Sequence, residues 1–212
     1  MAGGLTARTM LEAYAMGIFP MAASASGSDL YWFEPPQRGV LPVGGVHISH
    51  SMRKLLRHSR WQARIDGDFI GVVKGCADRD ETWINAELLA LYAELFALGH
   101  AHSLEIREDD ALIGGVFGLS LGGAFFAESM FSRRDNTSKA ALIWLSGHLA
   151  RCGFVLWDTQ YPNPHLASMG GQTIPRGEYR RQLAQALKQR ADFTAHALPA
   201  AQALVQDTTH TS

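Results

Sequence analysis

The spacing of apolar residues changes along the chain, and this change separates helices from strands. Residues 86–98 carry apolar side chains at helical spacing, with Asn85 as a capping residue before them and Gly99 after them. Three later segments alternate as strands do, at residues 102–107, 112–119 and 124–131. Because Gly122 and Gly123 stand between the last two, the pattern predicts an antiparallel meander after the helix.

Further helices are predicted on both sides of this meander. Those before it cover residues 9–16, 50–57 and 69–77, and the last one in the chain covers residues 175–190. The helix that directly follows the meander stops at Gly153, and Asn136, Thr137 or Ser138 caps its start. Residues 154–160 then form one more apolar strand. Elements in this order predict an α+β fold whose sheet is covered by helices.

The N-terminal part has a different character. Residues 29–42 are rich in proline and are predicted to be irregular, and with the first helix they indicate a small N-terminal lobe. We predict an N-terminal domain at residues 1–62, a main domain at residues 63–191 and a flexible C-terminal tail at residues 192–212.

The composition is that of a chain that can bury a core. It has 212 residues, of which 47% are hydrophobic. The two cysteines, Cys76 and Cys152, are too few for a disulfide framework and are typical of a reducing compartment. The first residues lack the apolar region of a secretory signal, and no run approaches the roughly 18 apolar residues of a membrane span. We therefore expect a cytoplasmic protein with no membrane partner, and we expect a monomer.

One segment is strongly basic, although the net charge of −1 argues against binding nucleic acid by bulk electrostatics. Residues 47–64 contain no acid and carry five cationic side chains: Arg53, Lys54, Arg57, Arg60 and Arg64. Such a segment can contact phosphates. A solvated helix face accounts for the charges as well, because Met52, Leu55 and Leu56 would make the opposite side apolar.

Polar side chains occur at the ends of two apolar strands. Glu128 lies on the strand at residues 124–131, and Asp158 and Gln160 end the strand at residues 154–160. Since Asp158 and Gln160 are two positions apart, strand periodicity places them on one face. An amide polarised by a carboxylate can accept a proton or a hydrogen bond from an attacking amine. The alternative is that all three side chains only satisfy backbone groups at strand ends.

Several runs are long enough to be specific: YAMGIFPM, WFEPPQRGVLP, HISHSMRKLLR, ETWIN, GGVFGLSLGGAFFAESMFSRRDNTSKAAL and PHLASMGGQTIPR. In these runs, over about residues 14–183, the chain resembles the leucyl/phenylalanyl-tRNA-protein transferases. The resemblance implies a C-terminal domain with the fold of the GCN5-related N-acetyltransferases and a smaller N-terminal α/β domain. It also implies transfer of Leu or Phe, and less well Met, from aminoacyl-tRNA to proteins that begin with Arg or Lys, which marks them for degradation by the N-degron pathway.

The resemblance also implies roles for particular residues. Asp158 and Gln160 match the catalytic pair of the family, and Glu128 matches a nearby active-site acid. The aminoacyl pocket is implied at Met130, Leu142, Leu145 and Leu149, and Val116 on the preceding strand is a further candidate. Leucines stand at helix positions where the family leads us to expect some aromatic side chains, so the Leu or Phe preference stays open. Ordinary core packing is the alternative for all five residues.

Two tryptophans are candidates for holding the terminal adenosine of the tRNA. Trp32 and Trp83 lie in polar or irregular segments and match tryptophans of the family motifs. Single-stranded bases are commonly held by stacking on aromatic faces. Sealing the interface between two lobes is the alternative. The basic residues Arg53, Lys54, Arg57 and Arg60, with Arg64, would then contact the acceptor-stem backbone.

The sequence gives less support to a metal site, a hydrolase, an acetyl-CoA-dependent enzyme or an RNA-binding module. The pairs His47/His50 and His100/His102 lack a completing Cys or carboxylate, so we expect no metal and no organic cofactor. A hydrolase is disfavoured because Ser129 is not in a G-x-S-x-G turn. An acetyl-CoA-dependent acyltransferase would need a glycine-rich pyrophosphate loop, whereas the helix after the meander opens with SRRDNTSKAAL. A binding module for RNA would leave Glu128, Asp158 and Gln160 without a purpose.

Overall fold

The fold is organised around one large sheet, seen in a computed structural model that describes residues 5–22 and 30–199. The strands of the described residues are β1 (Phe19–Ala22), β2 (Leu30–Phe33), β3 (Gln37–Leu41), β4 (Gln62–Ile65), β5 (Ala101–Glu108), β6 (Ala111–Leu121), β7 (Ala124–Ser132), β8 (Leu156–Gln160) and β9 (Gln172–Pro175). The helices are α1 (Ala7–Ala15), α2 (His50–His58), α3 (Phe69–Ala77), α4 (Ala86–Ala97), α5 (Thr137–Arg151), α6 (Pro164–Ala167) and α7 (Arg176–Ala186).

Seven strands form the large sheet in the order β4-β5-β6-β7-β8-β3-β9, and β1 and β2 form a separate hairpin. Neighbouring strands are antiparallel except β7 and β8, which are parallel and are joined through α5. The last paired residues of these two strands are Phe126 and Asp158. Beyond that pair β7 and β8 part, and Glu128 and Gln160 lie on the parted ends.

Two core clusters cover the two faces of the sheet. One contains the buried residues of α1, α3, α4 and α7, and the other contains those of α2 and α5. Successive strand residues alternate between them, since Phe126 belongs to the first cluster and Phe125 to the second. The helices therefore lie on both faces of the sheet, and the predicted α+β class is confirmed.

The predicted meander is confirmed as β5, β6 and β7, with Gly122 and Gly123 in the turn. The helices predicted from their apolar periodicity are also present, with end points that differ by a few residues. Asn136 is the N-cap of α5, but its side chain makes no capping hydrogen bond. The backbone N–H of Ser138 in the first turn instead donates to Oγ of Ser132 at 2.9 Å, and the hydroxyl of Thr137 donates to the carbonyl oxygens of Arg134 and Ile113.

The prediction of an irregular segment at residues 29–42 was wrong for its described part. Residues Leu30–Phe33 pair with β1, and residues Gln37–Leu41 pair with both β8 and β9. Prolines 35 and 36 lie between these strands, where no strand hydrogen bond is required. Residue 29 itself lies outside the described residues. The division at residue 62 stays a prediction, and β3, which falls before it, belongs to the large sheet.

The C-terminal segment packs onto the main body up to residue 199. Phe193 is buried, and its ring stacks on His102 with 4.4 Å between the centroids. Its carbonyl oxygen lies 2.7 Å from Nε2 of His148, and the indole N–H of Trp144 donates to the carbonyl oxygen of Pro199 at 3.1 Å. The segment at residues 192–199 therefore contributes to the second core cluster. Residues 200–212 of the predicted tail lie outside the described residues.

We predict that Phe193→Ala lowers the free energy of unfolding by about 3–5 kcal/mol, because it removes a buried aromatic ring from a packed site. The exposed Val155 provides a control, since Val155→Ala should change the same quantity by less than about 0.5 kcal/mol. Urea denaturation of the full-length chain measures both effects. Equal midpoints for the two variants would contradict a core role for the C-terminal segment.

Candidate active site

A cavity of about 290 Å³ lies where β7 and β8 part. Its apolar lining includes Met21, Val116, Met130, Leu142 and Leu166. Its polar lining includes Arg79, Trp83, Glu128, Ser129 and Gln160. The cavity thus combines an apolar wall with a buried acid and an amide, which are the groups that the sequence places at the two strand ends.

Glu128 is held by three donors. The hydroxyl of Tyr14 donates to its Oε1 and the hydroxyl of Tyr92 donates to its Oε2, both at 2.7 Å, and Nε2 of Gln160 donates to Oε1 at 3.0 Å. Burial, followed by the nearby charge of Glu128, raises the pKa of both tyrosine hydroxyls. Both hydroxyls therefore remain protonated donors at neutral pH.

The pKa of Glu128 is raised from 4.5 to about 7. Burial is the main cause, because a charged carboxylate loses its hydration there. The two tyrosine hydroxyls act in the opposite direction, since they stabilise the ionised form by donating to it. The carboxyl group is therefore poised between its neutral and ionised forms near physiological pH.

Gln160 adopts a left-handed backbone conformation with φ of 64°. Its backbone N–H donates to Oδ1 of Asp158 at 2.8 Å, which holds the strand end in this conformation. Gly39 is its partner across the sheet, and a Cβ atom there would lie 2.9 Å from the carbonyl oxygen of Tyr161. The strand end can turn beside β3 because position 39 has no side chain.

The left-handed residue changes the geometry that simple strand alternation predicts. Asp158 bonds the backbone of Gln160, and the side-chain amide of Gln160 bonds Glu128 instead. The acid in contact with the amide is therefore Glu128, not Asp158. Because Nε2 is used as a donor to Glu128, Oε1 of Gln160 is left to accept from another group.

Asp158 is fully buried and is paired with Arg38. Nε of Arg38 lies 2.9 Å from Oδ1, and Nη2 lies 2.6 Å from Oδ2. The hydroxyl of Tyr179 donates to Oδ2 at 2.7 Å, and Nη1 of Arg38 donates to the carbonyl oxygen of Gly17. The guanidinium also lies over the rings of Phe19 and Tyr179, at 4.6 and 4.4 Å from their centroids.

The candidate pocket residues separate into two groups. Met130, Leu142 and Val116 line the cavity. Leu145 and Leu149 are fully buried in the second core cluster and are not among the residues that line it. Helical spacing alone does not distinguish these groups, since consecutive turns of α5 face the sheet while only its N-terminal part reaches the cavity.

The candidate tRNA-binding residues are spread over a wider surface. Trp83 lines the cavity, and Trp32 lies 46% exposed on the hairpin that contributes Met21 to the cavity wall. Lys54, Arg57 and Arg60 are exposed, and Arg53 donates from Nε to the carbonyl oxygen of Ile48. Arg64, at the far end of the segment, pairs with Asp110.

Sequence reasoning did not identify several residues of the site: Tyr14, Arg38, Arg79, Tyr92 and Tyr179. Tyr14 and Arg38 lie inside the runs YAMGIFPM and WFEPPQRGVLP. Their position in these family motifs was a signal from which a role could have been predicted. Arg79 lines the cavity and donates to Ser129 Oγ and to the carbonyl oxygens of Cys76 and Met130. Tyr92 and Tyr179 occupy buried positions on the apolar faces of their helices. The neighbouring sequence does not distinguish them from tyrosines that only fill the core.

Residues 5–22 and 30–199 contain no cluster of three or more His, Cys, Asp or Glu side chains arranged to hold a metal ion. Within the same ranges, every helix is too short or too polar to cross a lipid bilayer.

The raised pKa of Glu128 predicts a pH dependence of stability. Between pH 4.5 and 7 the folded protein binds more protons at this group than the unfolded chain, so the free energy of unfolding falls as pH rises. The shift corresponds to about 3 kcal/mol lost across this range. Glu128→Gln should remove this loss, as measured by urea denaturation at pH 4.5 to 8. The same slope in both proteins would contradict the raised pKa.

The Arg38–Asp158 pair predicts a large coupling energy. Arg38→Met should lower the free energy of unfolding by about 3–5 kcal/mol, because it leaves a buried carboxylate without its partner. The double variant Arg38→Met/Asp158→Asn should recover part of this loss, since it contains no unpaired charge. A double-mutant cycle by urea denaturation measures the coupling. Additive losses would show that the two side chains do not act as a pair.

Comparison with known proteins places these residues in a family. The family model described as leucyl/phenylalanyl-tRNA protein transferase matches residues 40–184, and a model of the N-terminal domain of the same family matches residues 3–36. A ribosomal-protein-alanine N-acetyltransferase from Brucella melitensis is a similar solved structure, with 14% identity, 66% of this chain and 99% of that chain covered, and a TM-score of 0.37.

Relatives with high identity carry the family name. A leucyl/phenylalanyl-tRNA--protein transferase of Paracoccus denitrificans is 74% identical over 212 residues and is covered completely, as is this chain. One of Dinoroseobacter shibae is 54% identical over 92% of this chain and 87% of its own length. One of a Ruegeria species is 53% identical, over 98% of this chain and 99% of its own length. This chain therefore belongs to the leucyl/phenylalanyl-tRNA-protein transferase family.

Proposed function

We propose that the protein transfers Leu or Phe, and less well Met, from aminoacyl-tRNA to the N-terminal Arg or Lys of acceptor proteins. The observation that carries this proposal is the cavity between β7 and β8, where an apolar wall meets Glu128 and Gln160. Family membership supports the same reaction, because a relative that matches the whole chain is a leucyl/phenylalanyl-tRNA--protein transferase. The transferred residue would mark the acceptor for degradation by the N-degron pathway.

The apolar wall provides a place for the donor side chain. Met130 and Val116 come from β7 and β6, Leu142 comes from α5, and Met21 comes from the hairpin. A cavity of about 290 Å³ with two flexible methionines can adapt to Leu, Met or Phe. A methylene of misfit in such a pocket changes the rate by only about 10- to 200-fold, so these residues would tune selectivity.

The part of the cavity that Glu128 lines, called the acidic corner below, provides a place for the acceptor. Its α-ammonium group and its Arg or Lys side chain are cationic, and Glu128 is the buried carboxyl group that lines the cavity. An incoming cation favours the ionised form of a carboxyl group whose pKa is about 7. Glu128 would therefore gain charge when the acceptor binds, and this strengthens the attraction where water is excluded.

The reaction needs orientation and the removal of one proton. The donor ester is already activated, and an α-amine with an ordinary pKa of about 7.7–8.0 is partly neutral at cellular pH. The amine nitrogen bonds to the ester carbonyl carbon, the bond between that carbon and the ribose oxygen breaks, and the ribose oxygen leaves as a hydroxyl group that carries the proton lost by the amine. Oε1 of Gln160 would accept a hydrogen bond from the attacking amine, because its Nε2 already donates to Glu128.

Asp158 would act as a positioning residue in this reaction. Its carboxylate is satisfied by Arg38, Tyr179 and the backbone N–H of Gln160. It therefore holds Gln160 in the left-handed conformation that directs the amide toward Glu128. Orientation of two bound substrates can contribute roughly 7–11 kcal/mol to lowering the barrier.

The tRNA would extend from the cavity across the basic helix. Trp83, which lines the cavity, would stack on the terminal adenine, with Trp32 on the adjacent hairpin. Lys54, Arg57 and Arg60 on and after α2, with Arg53, would contact phosphates without reading the sequence. We propose that the protein works as a monomer in the cytoplasm, where charged tRNA is made, and that it uses no metal or organic cofactor.

The proposal is tested by transfer of radiolabelled Leu and Phe from charged tRNA to two peptides that differ only in an N-terminal Arg or Ala. Wild-type protein should label the Arg peptide, and it should do so equally with and without acetyl-CoA. Gln160→Ala should lower kcat by about 10-fold to 100-fold, because the amine loses the hydrogen-bond acceptor that orients it. Leu149→Met, in the core away from the cavity, provides a folded control.

Two results would contradict the proposal. Equal labelling of the Arg and Ala peptides would remove the proposed role of the acidic corner in acceptor choice. Binding of charged tRNA without labelling of either peptide would indicate a binding module and not a transferase.

A further inference from the structure

A second cavity, of about 250 Å³, lies beside the first one and has a different lining. Its polar residues are His47, Ser49, Lys139 and Ser168, and its apolar residues are Met52, Ile143 and Met169. Among the residues that the structure describes, none that lines this cavity carries a carboxylate. The backbone N–H of His47 donates to the carbonyl oxygen of Met169 at 2.8 Å, so the two walls of this cavity are joined directly.

The charge of Lys139 is not compensated by a carboxylate. Lys139 is half-buried, and none of the ion pairs among the described residues includes it. It also lies in the first turn of α5, where the helix dipole disfavours a cation. Burial lowers the pKa of the nearby His165, and the positive charge of Lys139 lowers it further. An anion in this cavity would relieve the unfavourable charge.

Residues close together along the chain line the two cavities, and the second cavity is also lined by Ser49 and Met52 at the start of the basic helix. On α5, Leu142 lines the first cavity and the adjacent Ile143 lines the second. On the other wall, Leu166 lines the first cavity and Met169 lines the second. Ser49 is the N-cap residue of α2, so the second cavity opens at the start of the helix that carries the basic residues.

We infer that the second cavity binds the phosphodiester group that precedes the terminal nucleoside of the donor nucleic acid, with Lys139 as its main cationic contact. This inference rests on the proposed function, which places the aminoacylated terminal nucleoside in the first cavity. A chain leaving that cavity toward α2 reaches the second cavity first. Lys139 supplies a charged donor, and the hydroxyl of Ser49, whose oxygen accepts from the backbone N–H of Met52, supplies a neutral one.

The experiment uses two donors that differ by one phosphodiester. One is leucyl-adenosine, which contains no phosphate, and the other is the dinucleotide cytidylyl-(3′→5′)-leucyl-adenosine, which contains one. The quantity measured is the ratio of kcat/KM for the dinucleotide to kcat/KM for leucyl-adenosine, with the Arg peptide as acceptor. Using a ratio removes any effect of a substitution on folding or on the chemical step.

Wild-type protein should prefer the dinucleotide, and Lys139→Gln should reduce the ratio by about 10-fold or more, as expected for the loss of a charge-assisted hydrogen bond. Lys139→Glu should reduce it further. The exposed Lys188 provides a matched control, so Lys188→Gln should keep the wild-type ratio. An equal ratio in wild type and Lys139→Gln would overturn the inference, and so would a wild-type ratio near one.

A binding measurement separates this inference from the proposed function. Uncharged fluorescent cytidylyl-(3′→5′)-adenosine should bind wild-type protein more tightly than it binds Lys139→Gln, whether or not transfer occurs. Equal binding would overturn the phosphate site while leaving transfer from charged tRNA untouched. Absence of transfer from charged tRNA, with Lys139-dependent dinucleotide binding retained, would contradict the proposed reaction and support the site.

Discussion

The buried ion pair between Arg38 and Asp158 connects the parts of the molecule that form the candidate active site. Arg38 lies on β3 and Asp158 on β8, 120 residues later in the chain. Tyr179 from α7 and the carbonyl oxygen of Gly17 after α1 complete the hydrogen bonds of the pair. A charge pair this deeply buried is tolerated only when every donor and acceptor is satisfied. The N-terminal part, the main sheet and the last helix are therefore fixed relative to one another at this point.

A second buried acid lies close to the first but in a different environment. Asp158 has a guanidinium partner, whereas the donors to Glu128 in the described part of the chain are all neutral. This difference divides the tasks of the two carboxyl groups. The paired acid can hold a backbone conformation, and the unpaired one can change its charge when a cation arrives. Gln160 lies between them and bonds both, through its backbone N–H and its side-chain amide.

The sequence predicts an element of this structure well when the interactions that form it lie within that element, and poorly when they involve residues far away in the chain. The meander and the helices α3, α4, α5 and α7 follow from apolar periodicity over many residues, and they are present. Strands β2 and β3 are short and lie next to prolines, so their pairing with distant strands leaves little trace in the local pattern.

The candidate site also depends on contacts between residues that are far apart in the sequence. The acids and the amide were identifiable because polar residues interrupt apolar strands. Their partners were not, because the bond from Tyr14 to Glu128 spans 114 residues and no local spacing marks it. The contact between Gln160 and Glu128 depends on a left-handed residue that strand alternation does not anticipate.

The position of Phe193 in the second core cluster has a consequence for biosynthesis. A chain folds from its N-terminal end as it leaves the ribosome, and a domain forms once all of its core residues have emerged. Here the ring at position 193 and the carbonyl oxygen at position 199 emerge after every residue of α5, and both contact residues of α5. The second core cluster is therefore completed only after the segment at residues 192–199 has emerged. A chain that stopped before residue 192 would contain every residue of the candidate active site but lack part of the packing that supports it.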